Sequence, residues 1–547
     1  MGKILLSVVL FFLLLPLALS LLLSIPWIQN CVVDEAAAWA SRRLGTRVSI
    51  GRVDVGWTGN ILLDNFYVED FQQDTLLYVG HAAAFLPHLG LTGDGLRFTR
   101  GRLRDVKLYL RETPEREMNI RQVVLSMSNP DRKKKGQFRL DLRNAQVENM
   151  TLLIERLAHR NPVFGVDYGN MRFENLDLSM REFVIDGHLI MADVASLSAR
   201  EQSGFVLEHL DGRFYLTKGG LGFEQTHLRM PHSDLHLKNL ALMGNAWTDF
   251  KNYISEVEML VEVEGSVATD DIAYFAPSMR RWQTRFTDTK IDFEGKVDDF
   301  YAKIYRGRVG DRTSLRAEGR VQGLPEFRTA RFNLRIPTLR TTATEALLLS
   351  RNIARLRLNE STYTQLRRMG RIDLSGHFNG SFDTFEGQAG VSTELGSANL
   401  TAEMMQRSLP DSETAEAQPE RILSASASAT QFDLGTFLDQ RPLVGRVSVA
   451  ANMRSVVQQR IEDTYVAADI TNLAFNDYTY DSIRVAGRLR NRTFNGRIQS
   501  KDEALDARVA GLLDWRDTIP RYDLTAQINR LDLHATHFNR RDSISEL

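Results

Sequence analysis

The chain has 547 residues, a net charge of -1 and 43% hydrophobic residues. Near-neutrality argues against a nucleic-acid binder, which carries a basic footprint, and the length leaves room for several domains or one extended repeat array. The single cysteine, Cys31, excludes an intrachain disulfide and a thiolate zinc cluster, and the polar WIQN before it argues against lipid modification of that thiol.

The first predicted element is a membrane anchor over residues 1–30. After Lys3 the sequence reads ILLSVVLFFLLLPLALSLLLSI, and no charge returns until Asp34. A secretory apolar core is about 7–15 residues long, whereas a bilayer span needs about 20. Ile4 to Ile25 meets the longer requirement, with Ile4, Leu5, Leu6, Phe11, Phe12, Leu13, Leu23 and Ile25 among its membrane-facing residues. Pro16 is tolerated within a span. Lys3 lies before the run and Asp34 and Glu35 after it, which keeps the N-terminus cytoplasmic and exports the remainder. A cleaved signal peptide is the alternative, and the lack of a small-x-small cleavage site counts against it.

A short helix is expected over residues 31–45, with Asp34 and Glu35 in its first turn, Arg42 and Arg43 in its last, and Gly45 as the stop. From residue 46 the period changes to two. RVSIGRVDV, NILLDNFYVED, TLLYVGHAAAFL, GLRFTRGRLRDVKLYL and RLDLRNAQVENMTLLIERL read as strands separated by Gly, Asn and Asp. The basic run DRKKKG, residues 131–136, is taken as a solvated loop. Alternation continues to the end with two interruptions: a helical insertion over about 341–370 and an acidic loop over about 408–420.

A motif recurs, written apolar-x-apolar-x-Gly-x-apolar. It occurs as VEVEGSV from Val261, IDFEGKV from Ile291, LRAEGRV from Leu315, IDLSGHF from Ile372, IRVAGRL from Ile483 and ARVAGLL from Ala507. Side chains alternate along a strand, so Val261, Val263, Ile291, Phe293, Val297, Leu315, Val321, Ile372, Leu374, Phe378, Ile483, Val485 and Leu489 form an apolar stripe. Gly265, Gly295, Gly319, Gly376, Gly487 and Gly511 sit within it. Each glycine is read as a point where the sheet bends and as room for a chain lying on the stripe; a simple bulge is the alternative. A weaker recurrence is an Asp-containing segment: TDDIAYFA, QFDLGTFLD and RLDLHATHF. Recurrence at intervals of tens of residues marks a stacked array.

So many strands with one apolar face must cover that face. A string of sandwich domains, a closed barrel, or a long curled sheet whose apolar side lines a groove each does so. The lack of Pro/Gly/Ser linkers favours one elongated object. A groove suits acyl chains: lifting about 30 methylenes from a membrane costs ~0.8 kcal/mol each, or about 25 kcal/mol, which only a continuous apolar lining offsets.

No motif for phosphate cradling, a serine nucleophile or a zinc protease is present, and no nucleophile–base pair converges, so no enzyme activity and no cofactor is expected. His232 and His236, with Asp234 between them, are candidate metal ligands in form, but a solvated polar face is the favoured reading. HATH, from His534, is poorly spaced for a ligand pair on either a strand or a helix.

The layout resembles the AsmA-like superfamily, specifically TamB-type proteins of the Bacteroidota kind. The likeness rests on the single apolar span followed by LGTRVSIGRVDVGWTGNILLDNFYVEDFQQDTLLYV from Leu44 and LRDVKLYLRETPEREMNI from Leu103. It rests also on the block Leu197, Ser198, Glu201, Ser203, Gly204 and Phe205. The resemblance implies an all-β fold: an elongated, twisted, taco-shaped antiparallel β-sheet with an apolar inner groove, preceded by one N-terminal transmembrane helix. It further implies a single-pass inner-membrane protein whose periplasmic bulk carries phospholipids toward the outer membrane. Some members are linked to outer-membrane barrel assembly through an Omp85-type partner, and a scaffold for barrel proteins is the alternative role. The chain is shorter than such proteins and lacks a recognisable C-terminal domain of the family, so it reads as an N-terminal portion.

Overall fold

The structure is a computed structural model that describes residues 26–55, 60–85, 96–121, 123, 139–158, 161–326, 329–352, 358–407, 420–458, 461–516, 519–542 and 545. Among the described residues strand accounts for 64% and helix for 13%, so the fold is all-β in class. The chain divides into two compact units, Met1–Arg285 and Phe286–Leu547.

In the first unit a helix covers Pro26–Leu44. It takes in residues expected to belong to the anchor and places Asp34 and Glu35 in its middle rather than in a first turn. Its last turn packs through Ala40 and Leu44 onto a small core of Val48, Val68, Leu76 and Val123. Gly45 closes it at φ +72°, a left-handed conformation suited to glycine, and the Ser41 hydroxyl accepts from the Val48 amide at 2.9 Å, tying helix to first strand.

The following strands pair mostly with their sequence neighbours, but the sheet is mixed rather than antiparallel throughout. Strand Arg100–Arg111 runs parallel to Arg139–Glu155, from Gly101 opposite Ala145 to Arg111 opposite Glu155. The short strand Leu96–Phe98 is parallel to it as well. Parallel neighbours need a crossover rather than a hairpin, and residues 112–138 supply its length; the run DRKKKG lies there, outside the described residues. Left-handed residues at Asn65, Asp105 and Asn149 interrupt successive strands of this unit. Asn149 Nδ2 donates to Asp105 Oδ1 at 2.6 Å. Asn and Asp tolerate positive φ better than other residues with a Cβ, so these interruptions break strict alternation without ending the strands.

The block carrying Leu197 to Phe205 is the end of the strand Leu189–Glu201 and the hairpin turn that leads to the strand Val206–Leu216. The Glu201 carboxylate, 3% exposed, accepts from the amides of Ser203 at 2.7 Å and Arg172 at 3.3 Å. Gly204 takes φ +98°, and Phe205 packs edge-on against Tyr274 and Phe275.

In the second unit the strands from Arg285–Lys296 to Arg521–Leu531 form an antiparallel meander. The small hairpin Leu473–Phe475 with Tyr478–Tyr480 stands aside from it. Helices Ala343–Asn352 and Glu360–Arg367 fall within the expected insertion, and Leu434–Leu438 forms a third. Because the strands alternate in direction, these helices and the hairpin all connect at the same margin of the sheet. Buried Ala343, Leu347, Leu395, Val447 and Tyr480 gather on those connections. The acidic stretch 408–419 lies outside the described residues.

Candidate functional site

In the second unit, register fixes which residues share a face. One row, each residue opposite the next, reads Phe293, Ala302, Gly319, Leu334, Phe378, Gly387, Ala402, Ala425, Met453, Val466, Gly487, Gly496, Gly511 and Leu524. A second reads Leu315, Leu339, Leu374, Val391, Ala398, Ala429, Val449, Ile470 and Ile483. Between them run Ile336, Gly376, Ala389, Leu400, Ala427, Ala451, Ala468, Val485 and Ile498. No charged residue interrupts these rows.

Ile291, Val321, Ile372 and Leu489 lie on the same face, opposite Ile304, Phe300, Thr341 and Thr464. Val297 does not: the strand ends at Lys296 and the next begins at Asp299, which leaves Val297 in the hairpin turn. The first unit has its own apolar row of Val53, Leu63, Ala82, Leu103, Val147, Leu178, Leu197, Leu210, Leu228, Leu235 and Gly265. There Val261 stands opposite Leu240 and Val263 opposite Leu237.

Exposure tells what covers the second unit's face. Of the predicted stripe residues there, Val321 is buried at 9%. The others are half-buried, except Leu489 at 40% exposed. Leu400 and Ile498 on the same rows are also exposed. A face packed against a second sheet would bury these positions, so among the described residues this apolar face has no second layer.

The opposite face is charged and paired. Lys303 lies 3.6 Å from Glu318, Arg340 3.1 Å from Asp373 and Arg484 3.1 Å from Asp469. The Arg320 guanidinium, hydrogen-bonded to Asp299, holds that carboxyl below its usual range, and Arg488 does the same for Asp463. Arg516 holds Asp514 down to about 2. A recess of about 1100 Å³ opens here, lined by Arg312, Arg340, Arg371, Asp373, Ser392 and Asn399 among others. It is polar, so it adds nothing to the apolar rows.

The glycines do something different from what spacing suggests. Gly295 has φ +121°, and a Cβ there would lie 2.5 Å from the Asp299 carbonyl oxygen and 2.9 Å from Phe300 Cα. The space beside it is filled by the neighbouring strand, not left open for a guest chain. Gly265 and Gly511 share the positive φ and the same crowding by neighbouring carbonyls. Gly319 and Gly376 are crowded by the backbone of the next strand, and Gly487 by the Phe494 ring and the Asn495 carbonyl. Close approach of the neighbouring strand is what all six share.

Spacing overlooked the small residues: Ala425, Ala427 and Ala429 each take a place on the apolar rows. Their signal is the period-two SASASAT, in which Ser occupies the other face. It overlooked a histidine group too. His232 turns away to Asp271, 3.3 Å distant, while His236 joins His209, Asp211, His227 and Asp234 in two ligand-competent triads that share His227.

The expected anchor, with Ile4, Leu5, Leu6, Phe11, Phe12, Leu13, Leu23 and Ile25, lies outside the described residues. Among the described residues no helix is long and apolar enough to cross a membrane. Comparison with protein-family models, curated proteins and solved structures finds no match.

Proposed function

We propose that the chain is a membrane-anchored lipid-transfer protein whose apolar sheet faces carry phospholipid acyl chains. The observation that supports this most is the second unit's uncovered, uncharged face, backed by a ladder of ion pairs. An apolar sheet face normally meets another layer; acyl chains are the non-protein layer that fits a long surface of leucine, valine, alanine and phenylalanine. In this reading the strands of each unit curl along its length into a taco-shaped groove. Residues Ile4–Ile25 anchor the chain in the inner membrane and the strands stand in the periplasm, moving lipid toward the outer membrane. The sequence resemblance to TamB-type AsmA-like proteins supports the same role, in which no residue does chemistry.

Aspartate at Leu334, Leu374 and Val485 tests the role. These substitutions are expected to abolish phospholipid movement to the outer membrane while the protein is still exported and retained at normal abundance. Undiminished lipid movement would contradict the proposal. Co-purification of an outer-membrane barrel protein with no bound lipid would point instead to a barrel-assembly scaffold.

A further inference from the structure

We propose that the first unit binds one zinc-class divalent ion on its charged face, at a site centred on His227. Three neighbouring strands, Val206–Leu216, Gly220–Met230 and Ser233–Met243, bring the ligands together. His227 stands opposite both Asp211 and His236 in register. Its Nε2 lies 2.8 Å from Asp234 Oδ1, and its amide donates to Asp211 Oδ1 at 3.3 Å. His209 Nε2 is 3.0 Å from Asp211 Oδ2. The His227 and His236 rings stack with centroids 4.5 Å apart and planes within 14°.

Elsewhere on the charged faces carboxylates pair mainly with arginine or lysine, whose charge is permanent. Asp211 and Asp234 instead gather imidazoles. Three imidazoles and two carboxylates form a nitrogen-and-oxygen donor set suited to zinc and its neighbours rather than to calcium or magnesium.

In each triad the donor atoms already lie within 4.8 Å of one another. A tetrahedral zinc, with bonds of roughly 2.0–2.1 Å, needs them at about 3.3 Å. The half-exposed rings reach that by small side-chain rotations. His227 belongs to both triads, so the site depends on that residue whichever triad holds the ion. Leu210, Leu228 and Leu235 occupy the reverse of the same strands. On either triad the ion therefore clips the strand of His227 to one adjacent strand, directly behind the apolar row, and fixes their local twist.

The test uses the full chain in detergent, stripped with chelator, titrated with zinc chloride by calorimetry and with cobalt as a visible-absorption probe. The wild type is expected to bind one ion below micromolar concentration, to show the absorption of a tetrahedral cobalt site, and to melt higher with zinc than without. His227→Gln should weaken binding more than about 100-fold, beyond the range seen when only an outer-shell partner is lost. His232→Gln, outside the site, should bind as the wild type does. If His227→Gln fails to fold, as judged by circular dichroism, His209→Asn and His236→Asn replace it, and the one whose triad holds the ion should weaken binding. Unchanged affinity in His227→Gln, or in both replacement variants, would overturn the proposal, as would equal loss in His232→Gln or wild-type binding only at millimolar zinc.

Discussion

Gly295 illustrates what single residues contribute. Its φ of +121° and the Asp299 carbonyl oxygen 2.5 Å from where a Cβ would stand make any side chain costly. Gly295→Ala should lower stability by about 1–3 kcal/mol, the usual range for a residue forced into a strained backbone region. Chemical denaturation would measure it; a variant as stable as the wild type would mean that the strands separate there freely. Glu201 is the second sensitive residue, since its buried carboxylate satisfies the turn amide of Ser203 and the strand amide of Arg172. Glu201→Ala should cost about 1–3 kcal/mol by leaving them without a partner, with the loss read as faster amide exchange at Arg172 and Ser203. The sequence marks Gly295 by its place in a repeated motif and Glu201 by its place in a block. The partner that crowds or satisfies each comes from another strand, so neither mechanism was legible in the local pattern.

At the scale of elements, acidic residues on short helices grip neighbouring hairpin turns. Asp271 accepts from the His232 amide at 3.0 Å and from the Ser233 hydroxyl at 2.5 Å. Glu345 accepts from the Asp311 amide at 2.9 Å and the Thr313 hydroxyl at 2.6 Å. Asp433 caps its own helix through the Thr436 amide at 2.9 Å. Of the recurrent Asp-containing segments, the first grips a neighbouring turn through Asp271, while Asp433 and Asp532 cap their own turns; repetition in the sequence showed recurrence but not these separate purposes.

The ion-pair ladder predicts a pH response. Asp299, Asp463 and Asp514 have carboxyls held below their ordinary values in the folded chain. Folding therefore gains from their ionisation above about pH 4, and that gain is lost as pH falls toward about 2. Denaturation midpoints should drop steadily between pH 5 and pH 2.5. Arg488→Gln should flatten part of that slope, and an unaltered slope would remove Asp463 from the account. Strand existence and the apolar side of each strand were legible from period-two alternation. The parallel crossover at Arg139–Glu155 was not, because alternation is blind to strand direction.

At the scale of the molecule, each unit builds a sheet with apolar rows on one face and charge on the other. The second unit gathers buried side chains along the helical margin and leaves the middle of the apolar face half-buried, with Leu400, Leu489 and Ile498 exposed. This separates stability from the proposed transport role. Leu400→Asp and Ile498→Asp, at positions 44% and 43% exposed, should change folding stability by less than about 1 kcal/mol, as at a solvent-facing site. A packed core would lose roughly 3 kcal/mol or more to a buried charge and a lost side chain. The most direct measurement is site-specific photocrosslinking in cells, with the crosslinker at Leu334, Leu374 or Val485 on the apolar face and at Arg335, Asp373 or Arg497 on the charged face. The account predicts phospholipid adducts from the first set and none from the second; adducts from both sets alike, or from neither, would contradict it.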